Sequence, residues 1–370
     1  MLLFLIVFII IILLVQLNSR KNALKDIKYD YEFSKKLIEI DEPIELISIV
    51  TNESHRLVPF IRMVEYFPKG IRTLNKNVYI REDIFNYLSY NSSIYLMSRS
   101  RLQRKLKFTF DKRGRYVFRG ATLHGGDFLG LSEKREKFEQ LREVVVYPKP
   151  IDAPHLQEIM GGFLGDISVR RFIMEDPILT IGTREYTGRE PLKQISWKHT
   201  ARTNQLTANH QLTANHQLMV KQYDYTTEMV VTVFLDISPV RRKTLTPQQF
   251  ENCFSLARTV CQYLEQKKIP FEFVSNAIVE GTNDDDQRLV KGLGKAHLRG
   301  VLERLGRAGY GTRETYDSAI EKLALNQDKN RSTVIITPGR DDHKQSIAEK
   351  LKEKTVGALI FIYGEDFENE

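Results

Sequence analysis

Asp236 and Ser238 close the apolar run Val230-Val-Thr-Val-Phe-Leu-Asp236-Ile-Ser238. A strand that delivers a carboxylate and a hydroxyl to its C-terminal tip is how an open α/β sheet builds a ligand or metal site, so these two residues are the first candidates for chemistry. Upstream, residues 186–202 bring together Lys193, Trp197, Lys198, His199 and Arg202. Tryptophan and arginine favour interfaces, and Trp197 and Arg202 are read as partner-binding residues. They form either a clamp between domains or, through Arg202, a contact with an acidic partner. Asp284-Asp-Asp286 reads as an acidic loop rather than a cation cage. Lys291-Gly-Leu-Gly-Lys295 lacks the spacing and the Ser/Thr of a phosphate-binding loop. No serine elbow, zinc helix or Cys/His nucleophile pattern stands out, so no catalytic residue is assigned.

These residues need elements to hold them. From 229 to 370 strand and helix alternate, with Thr246 as N-cap and Pro247 at the first position of a helix reaching about Lys268. The rhythm predicts an α/β domain over 229–370, with a doubly wound, mostly parallel sheet and helices on both faces. From 36 to 150 the pattern is β. Leu106, Phe108 and Phe110 alternate with polar residues, and Asp111-Lys-Arg-Gly114 then leads into Tyr116-Val-Phe118. That predicts a hairpin with Gly114 at a positive φ, and the segment as a whole predicts a small β-sandwich. Residues 18–35 read as a polar, basic connector. Residues 151–228 read as a second connector, holding Gly161-Gly162, the Trp197/Arg202 run and a hexamer, Leu206-Thr-Ala-Asn-His-Gln211, repeated at once as 212–217. Two copies of so short a unit make a lengthened loop, not a solenoid.

The chain has 370 residues, room for two or three domains. Its net charge of +8 is spread, without the interleaved aromatics of a nucleic-acid surface, so no nucleic-acid partner is expected. The two cysteines, Cys253 and Cys261, share one predicted helix and read as reduced core thiols. Residues 1–17 are apolar apart from Gln16, and as a helix would span roughly 26 Å of a ~30 Å hydrocarbon core. Arg20, Lys21, Lys25 and Lys28 follow. The expectation is a single-pass transmembrane anchor over 1–17, with the bulk of the chain on the cytoplasmic side.

Several of these pieces together resemble the bacterial family catalogued as domain of unknown function 58. They are the N-terminal apolar segment, Arg113-Gly114-Arg-Tyr116, Asp127-Phe-Leu-Gly130-Leu131, the run 186–202 with Trp197, and Val220-Lys221 before the Asp236 strand. The C-terminal domain of that family is similar to von Willebrand factor type A domains. Such domains hold Mg²⁺ through Asp-x-Ser-x-Ser, a second-loop Thr and a third-loop Asp. The resemblance implies Asp236, Ser238 and Thr312 as metal ligands, while Val240 and Pro338 stand where two further ligands belong. Asp341 follows too far along the loop to replace the missing carboxylate. No cofactor is assigned with certainty. Weak Mg²⁺ binding is one reading, and the other is that Asp236 and Ser238 cap loop N–H groups or helix termini. The family is often encoded beside AAA+ ATPases of the MoxR group. The function implied is a membrane-anchored, non-enzymatic adaptor for a cytoplasmic protein of that kind, with a metal-dependent hydrolase using Asp236 as the alternative.

Overall fold

The computed structural model describes residues 24–75, 80–82, 87–126, 133–173, 180–188, 191–208, 218–223, 230–241, 243–281, 288–326, 331–354 and 357–367. Residues 1–17, 127–131, the second hexamer and the acidic loop at 284–286 lie outside the described residues. The chain divides into two units. One comprises Met1–Pro150, Ile278–Asp284 and Arg299–Gly311; the other comprises Ile151–Ala277, Asp285–Leu298 and Thr312–Glu370.

In the first unit ten strands follow one another: β1 (Ile27–Phe33), β2 (Leu37–Glu39), β3 (Ile44–Asn52), β4 (Val58–Phe67), β5 (Ile71–Thr73), β6 (Ile80–Glu82), β7 (Leu88–Leu96), β8 (Arg101–Phe110), β9 (Gly114–Gly126) and β10 (Glu133–Tyr147). They build a four-stranded sheet, β1-β3-β8-β5, and a six-stranded sheet, β2-β10-β9-β4-β7-β6. Period-two patterning is the cause. In β3 the residues Ile44, Leu46, Ser48, Val50 and Asn52 all turn inward and their neighbours outward. Aromatic side chains from the two sheets meet in one core, with Phe108 of β8 and Phe118 of β9 5.9 Å apart between ring centres. Glu65 of β4 is buried in this core and is satisfied there by Tyr29, Ser48 and Arg104.

Along the rest of the chain come α1 (Pro154–Ile173), β11 (Thr180–Glu185), α2 (Trp197–Ala208), β12 (Met219–Tyr223), β13 (Val231–Leu235), α3 (Pro247–Gln266), β14 (Phe271–Ser275), β15 (Ala277–Val279), β16 (Arg288–Gly292), α4 (Lys295–Arg307), β17 (Ala308–Thr312), α5 (Tyr316–Asn326), β18 (Ser332–Thr337), α6 (Asp342–Lys354) and β19 (Leu359–Tyr363). The second unit carries a five-stranded sheet of order β16-β14-β13-β18-β19. Its β14, β13, β18 and β19 run parallel, and β16 is antiparallel at one edge. Every residue of β13 is buried, as expected of a strand covered on both faces. Phe234 and Ile335 pack against Ala319, Ile320 and Leu323 of α5 and against Ala348 and Leu351 of α6. Helix α3 starts at a complete capping box: Thr246 accepts from Gln249 N–H, and the Gln249 side chain accepts from Thr246 N–H.

This architecture corrects the expected fold class. Among the described residues the protein is strand-rich, its strands fall into five sheets, and the longest ladders are antiparallel. A doubly wound parallel α/β fold of the von Willebrand factor A type does not describe it. The physical reason is that alternating sequence over Ile27–Tyr147 makes ten strands, leaving the α/β rhythm to one sheet with an antiparallel edge. The expected transmembrane helix and single-pass membrane location are corrected as well: no helix among the described residues is long and apolar enough to cross a membrane. Two connectors are also more ordered than expected. Residues 27–33 form β1, where Ile27, Tyr29 and Tyr31 turn inward between charged neighbours. Residues 151–228 hold α1, α2 and the antiparallel pair β11–β12.

Candidate functional site

Parallel register decides which residues meet at the end of the second unit's sheet. Leu235 pairs with Ser275 of β14 and with Ile336 of β18. The next residue on each strand is therefore Asn276, Asp236 and Thr337, one row across three strands. Asp236 N–H donates to Ile336 O at 2.8 Å and Asn276 N–H to Leu235 O at 3.3 Å, which holds the row together. Asp236 is 0% exposed, and a carboxylate buried so completely must have every lone pair direction answered.

It does. Oδ1 of Asp236 accepts from Asn276 Nδ2 at 2.6 Å and from Ser238 N–H at 2.9 Å. Oδ2 accepts from Lys344 Nζ at 2.7 Å and from Thr337 Oγ1 at 3.0 Å. Lys344, in the first turn of α6, is itself 4% exposed. Its ammonium donates also to Ser238 O at 2.9 Å and to Thr337 Oγ1 at 3.2 Å, and lies 5.5 Å from the centre of the Tyr316 ring. Three N–H donors thus meet three oxygens, with an aromatic face beside them. Asn276 completes the cluster by donating to Ser238 Oγ at 2.8 Å and accepting from Ile237 N–H at 2.9 Å. Burial, and next the Asp236 charge, push the Tyr316 phenol well above its usual range. The same two causes, in the same order, push up the Cys253 thiol of α3.

The residues expected to hold Mg²⁺ do not fit the ion. Asp236 and Ser238 do meet, but the carboxylate oxygen that would face a cation is given to the Lys344 ammonium, a built-in cation. Thr312, half-buried at the end of β17, is not among the groups bonded to Asp236. Val240 is buried and brings no oxygen. Asp341 serves α6 instead: its Oδ1 accepts from His343 N–H at 3.0 Å and its Oδ2 from Arg241 N–H at 3.1 Å. Burial works against its charge, but those two N–H groups and the nearby cations outweigh it, and the Asp341 carboxyl is held below the usual carboxylate range. A divalent ion at Asp236 would have to displace Lys344, in a cluster that brings a single carboxylate and otherwise neutral oxygens.

Trp197 and Arg202 both lie on α2, whose start is tied to β12. Ser196 N–H donates to Met219 O at 2.8 Å, and Met219 N–H donates to Thr200 Oγ1 at 2.9 Å. Trp197 is 66% exposed and Arg202 is exposed. Five residues apart, they diverge by roughly 140° around the helix, so they present two faces rather than one patch. Sequence reasoning missed Asn276, Thr337 and Lys344. The first two carry a usable signal, since Asn276 directly follows and Thr337 ends a strand parallel to β13.

No family model matches the chain, and no curated protein matches it. Among solved structures, the chain is similar over part of its length to small β domains. The CARDB domain of the PF1109 protein from Pyrococcus furiosus is 15% identical, with a TM-score of 0.23, over 33% of this chain and 92% of that one. A cohesin module from a family 33 glycoside hydrolase of Clostridium perfringens is 14% identical, with a TM-score of 0.23, over 33% of this chain and 98% of that one. A type II cohesin domain from the cellulosome of Acetivibrio cellulolyticus is 11% identical, with a TM-score of 0.24, over 32% of this chain and 94% of that one. Likeness at this level covers a third of the chain and assigns neither a family nor a function.

Proposed function

We propose that the protein is a non-enzymatic scaffold that binds a partner protein. The observation that carries this reading is the sealed state of Asp236: fully buried, with four donors on its two oxygens and an internal ammonium as counter-ion. A general base or a metal-bound carboxylate needs access to substrate or ion, and this one has neither. The hydrolase alternative therefore has no group to act with at this position. An exposed tryptophan on a helix anchored to the second unit supplies the kind of side chain that dominates protein interfaces. The resemblance to the family of unknown function 58 names a MoxR-type AAA+ ATPase as the partner to test.

Two measurements test the reading. Titration calorimetry with Mg²⁺ and Mn²⁺ should show no binding below millimolar concentration, and micromolar affinity lost in Asp236→Asn would restore the metal-site reading. Trp197 is the chain's one tryptophan, so its fluorescence reports directly on α2. Addition of a purified MoxR-type ATPase with ATP and Mg²⁺ should shift its emission to the blue and quench iodide access. An unchanged spectrum at saturating ATPase would remove Trp197 from the interface, and failure to recover the ATPase by affinity capture would remove the partner.

A further inference from the structure

The six-stranded sheet of the first unit has a concave groove of about 840 Å³ on its outer face. Register explains its shape. Val64 and Tyr66 of β4, Thr122 of β9 and Lys137 of β10 share the outer side, since Val64 pairs with Thr122 and Thr122 with Lys137. At the next row stands Gly120, with φ +93°, opposite a break in the β9–β10 register between Glu139 and Arg142. A Cβ at Gly120 would sit 2.2 Å from Phe138 O, so only glycine fits. A bulge of this kind bends a strand and re-aims its side chains. Here Phe118 stays in the core while Arg119 reaches outward and stacks on Tyr87, its guanidinium carbon 4.3 Å from the ring centre.

The charge in the groove is one-sided. Arg119, Arg135 and Lys137 line it with a single carboxylate, Glu139, which lies 3.9 Å from Lys137. Among the described residues neither Arg119 nor Arg135 has a carboxylate partner. Stacking on Tyr87 fixes the plane of the Arg119 fork without using its N–H donors, which leaves them set for a carboxylate. Leu141, 74% exposed, adds an apolar end, while the Phe138 ring turns inward toward Tyr29 of the core.

We propose that this groove binds an acidic peptide segment, with side-chain carboxylates on Arg119, Arg135 and Lys137 and an apolar side chain against Leu141. The groove crosses four strands at ~4.8 Å spacing, roughly 14 Å, the length of four to five extended residues. The exposed Leu141 beside the cations favours a peptide, which offers apolar side chains among its carboxylates, over an acidic glycan. The site belongs to the first unit and stands independently of the reading given to Asp236 and Trp197.

Fluorescence anisotropy with two labelled decapeptides, one alternating Glu and Leu and one alternating Lys and Leu, tests it, with oligogalacturonate as competitor. Saturable binding of the Glu–Leu peptide alone is expected, weakened by raising the salt from 50 to 200 mM. Arg119→Gln with Arg135→Gln should weaken it about tenfold. Leu141→Ser, at a side chain already in solvent, should weaken it severalfold with the charge untouched, which holds the test open if the double variant misfolds. Equal binding of the Lys–Leu peptide, displacement by oligogalacturonate as effective as by unlabelled peptide, or no loss in either variant would overturn the proposal.

Discussion

Lys344→Met is the sharpest perturbation of the second unit. Methionine matches the length and much of the volume of the lysine stem, so the change removes the ammonium while leaving little void. The Asp236 carboxylate would keep three neutral donors and lose its only counter-ion, in a position that is 0% exposed. Removing one partner of a buried pair costs about 3–5 kcal/mol, because the remaining charge is neither solvated nor compensated. For a unit of this size each kcal/mol moves Tm by roughly 2–4 °C, so a fall of roughly 6–20 °C is expected. Circular dichroism during thermal and urea unfolding reads it. The double variant Asp236→Asn, Lys344→Met should regain at least half of the loss, since both charges are then gone and the Asn side chain can still accept from Ser238 N–H. A single variant within about 1 kcal/mol of the parent, or a double variant no better than the single, would refute the assignment of Lys344 as the resident cation of this cluster.

Three further outcomes follow from the same physics. Cys253 and Cys261 are fully buried thiols, and burial holds both well above the usual thiol range, so iodoacetamide at pH 8 should leave them unmodified in the native protein and label both in urea; rapid native labelling would contradict their packing. Glu143 is held below the usual carboxylate range by hydrogen bonding to Arg307, partly opposed by burial and reinforced by Arg115. Its folded value lies below its unfolded one, so its contribution is complete above about pH 4.3 and is lost as the pH falls through the folded value. Glu143→Gln should therefore flatten the acid limb of a stability–pH curve, and an unchanged slope below pH 5 would count against the Glu143–Arg307 pair. Gly161 and Gly162 lie inside α1 with open space where a Cβ would be, so Gly161→Ala and Gly162→Ala should each stabilise by about 0.5–1 kcal/mol in urea melts, and destabilisation would mean that α1 needs the glycines.

How far the sequence reveals this molecule depends on which signal each element carries. The sandwich strands announce themselves through alternation, and β8 ends before and β9 begins at Gly114, with its φ of +153°, but the two enter different sheets instead of pairing as the expected hairpin. β1 hides because Lys28, Asp30 and Glu32 dominate a seven-residue stretch whose other face is Ile27, Tyr29 and Tyr31. The groove behind Arg119 is illegible in advance, since it depends on a register break that only the paired strands define. Asp236 is legible as the polar end of an apolar strand, but its chemistry is not, because sealing or opening a carboxylate is decided by a lysine that arrives from 108 residues away.

Lys344 shows what such an arrival looks like in the chain. A cation in the first turn of a helix opposes the helix dipole and costs about 0.3–1 kcal/mol where it is exposed. Lys344 occupies that turn in α6, behind Asp341 and Asp342, which suit the helix start, and it is buried there. A lysine so placed is stable only if a carboxylate meets it. The acid available is the one at the end of β13, which the parallel register brings level with Thr337, the last residue before the loop leading into α6. An acid after one central strand and a first-turn lysine after its parallel neighbour therefore form a pair that can be sought in a sequence, and the same pairing distinguishes a carboxylate committed to the fold from one left for a metal ion.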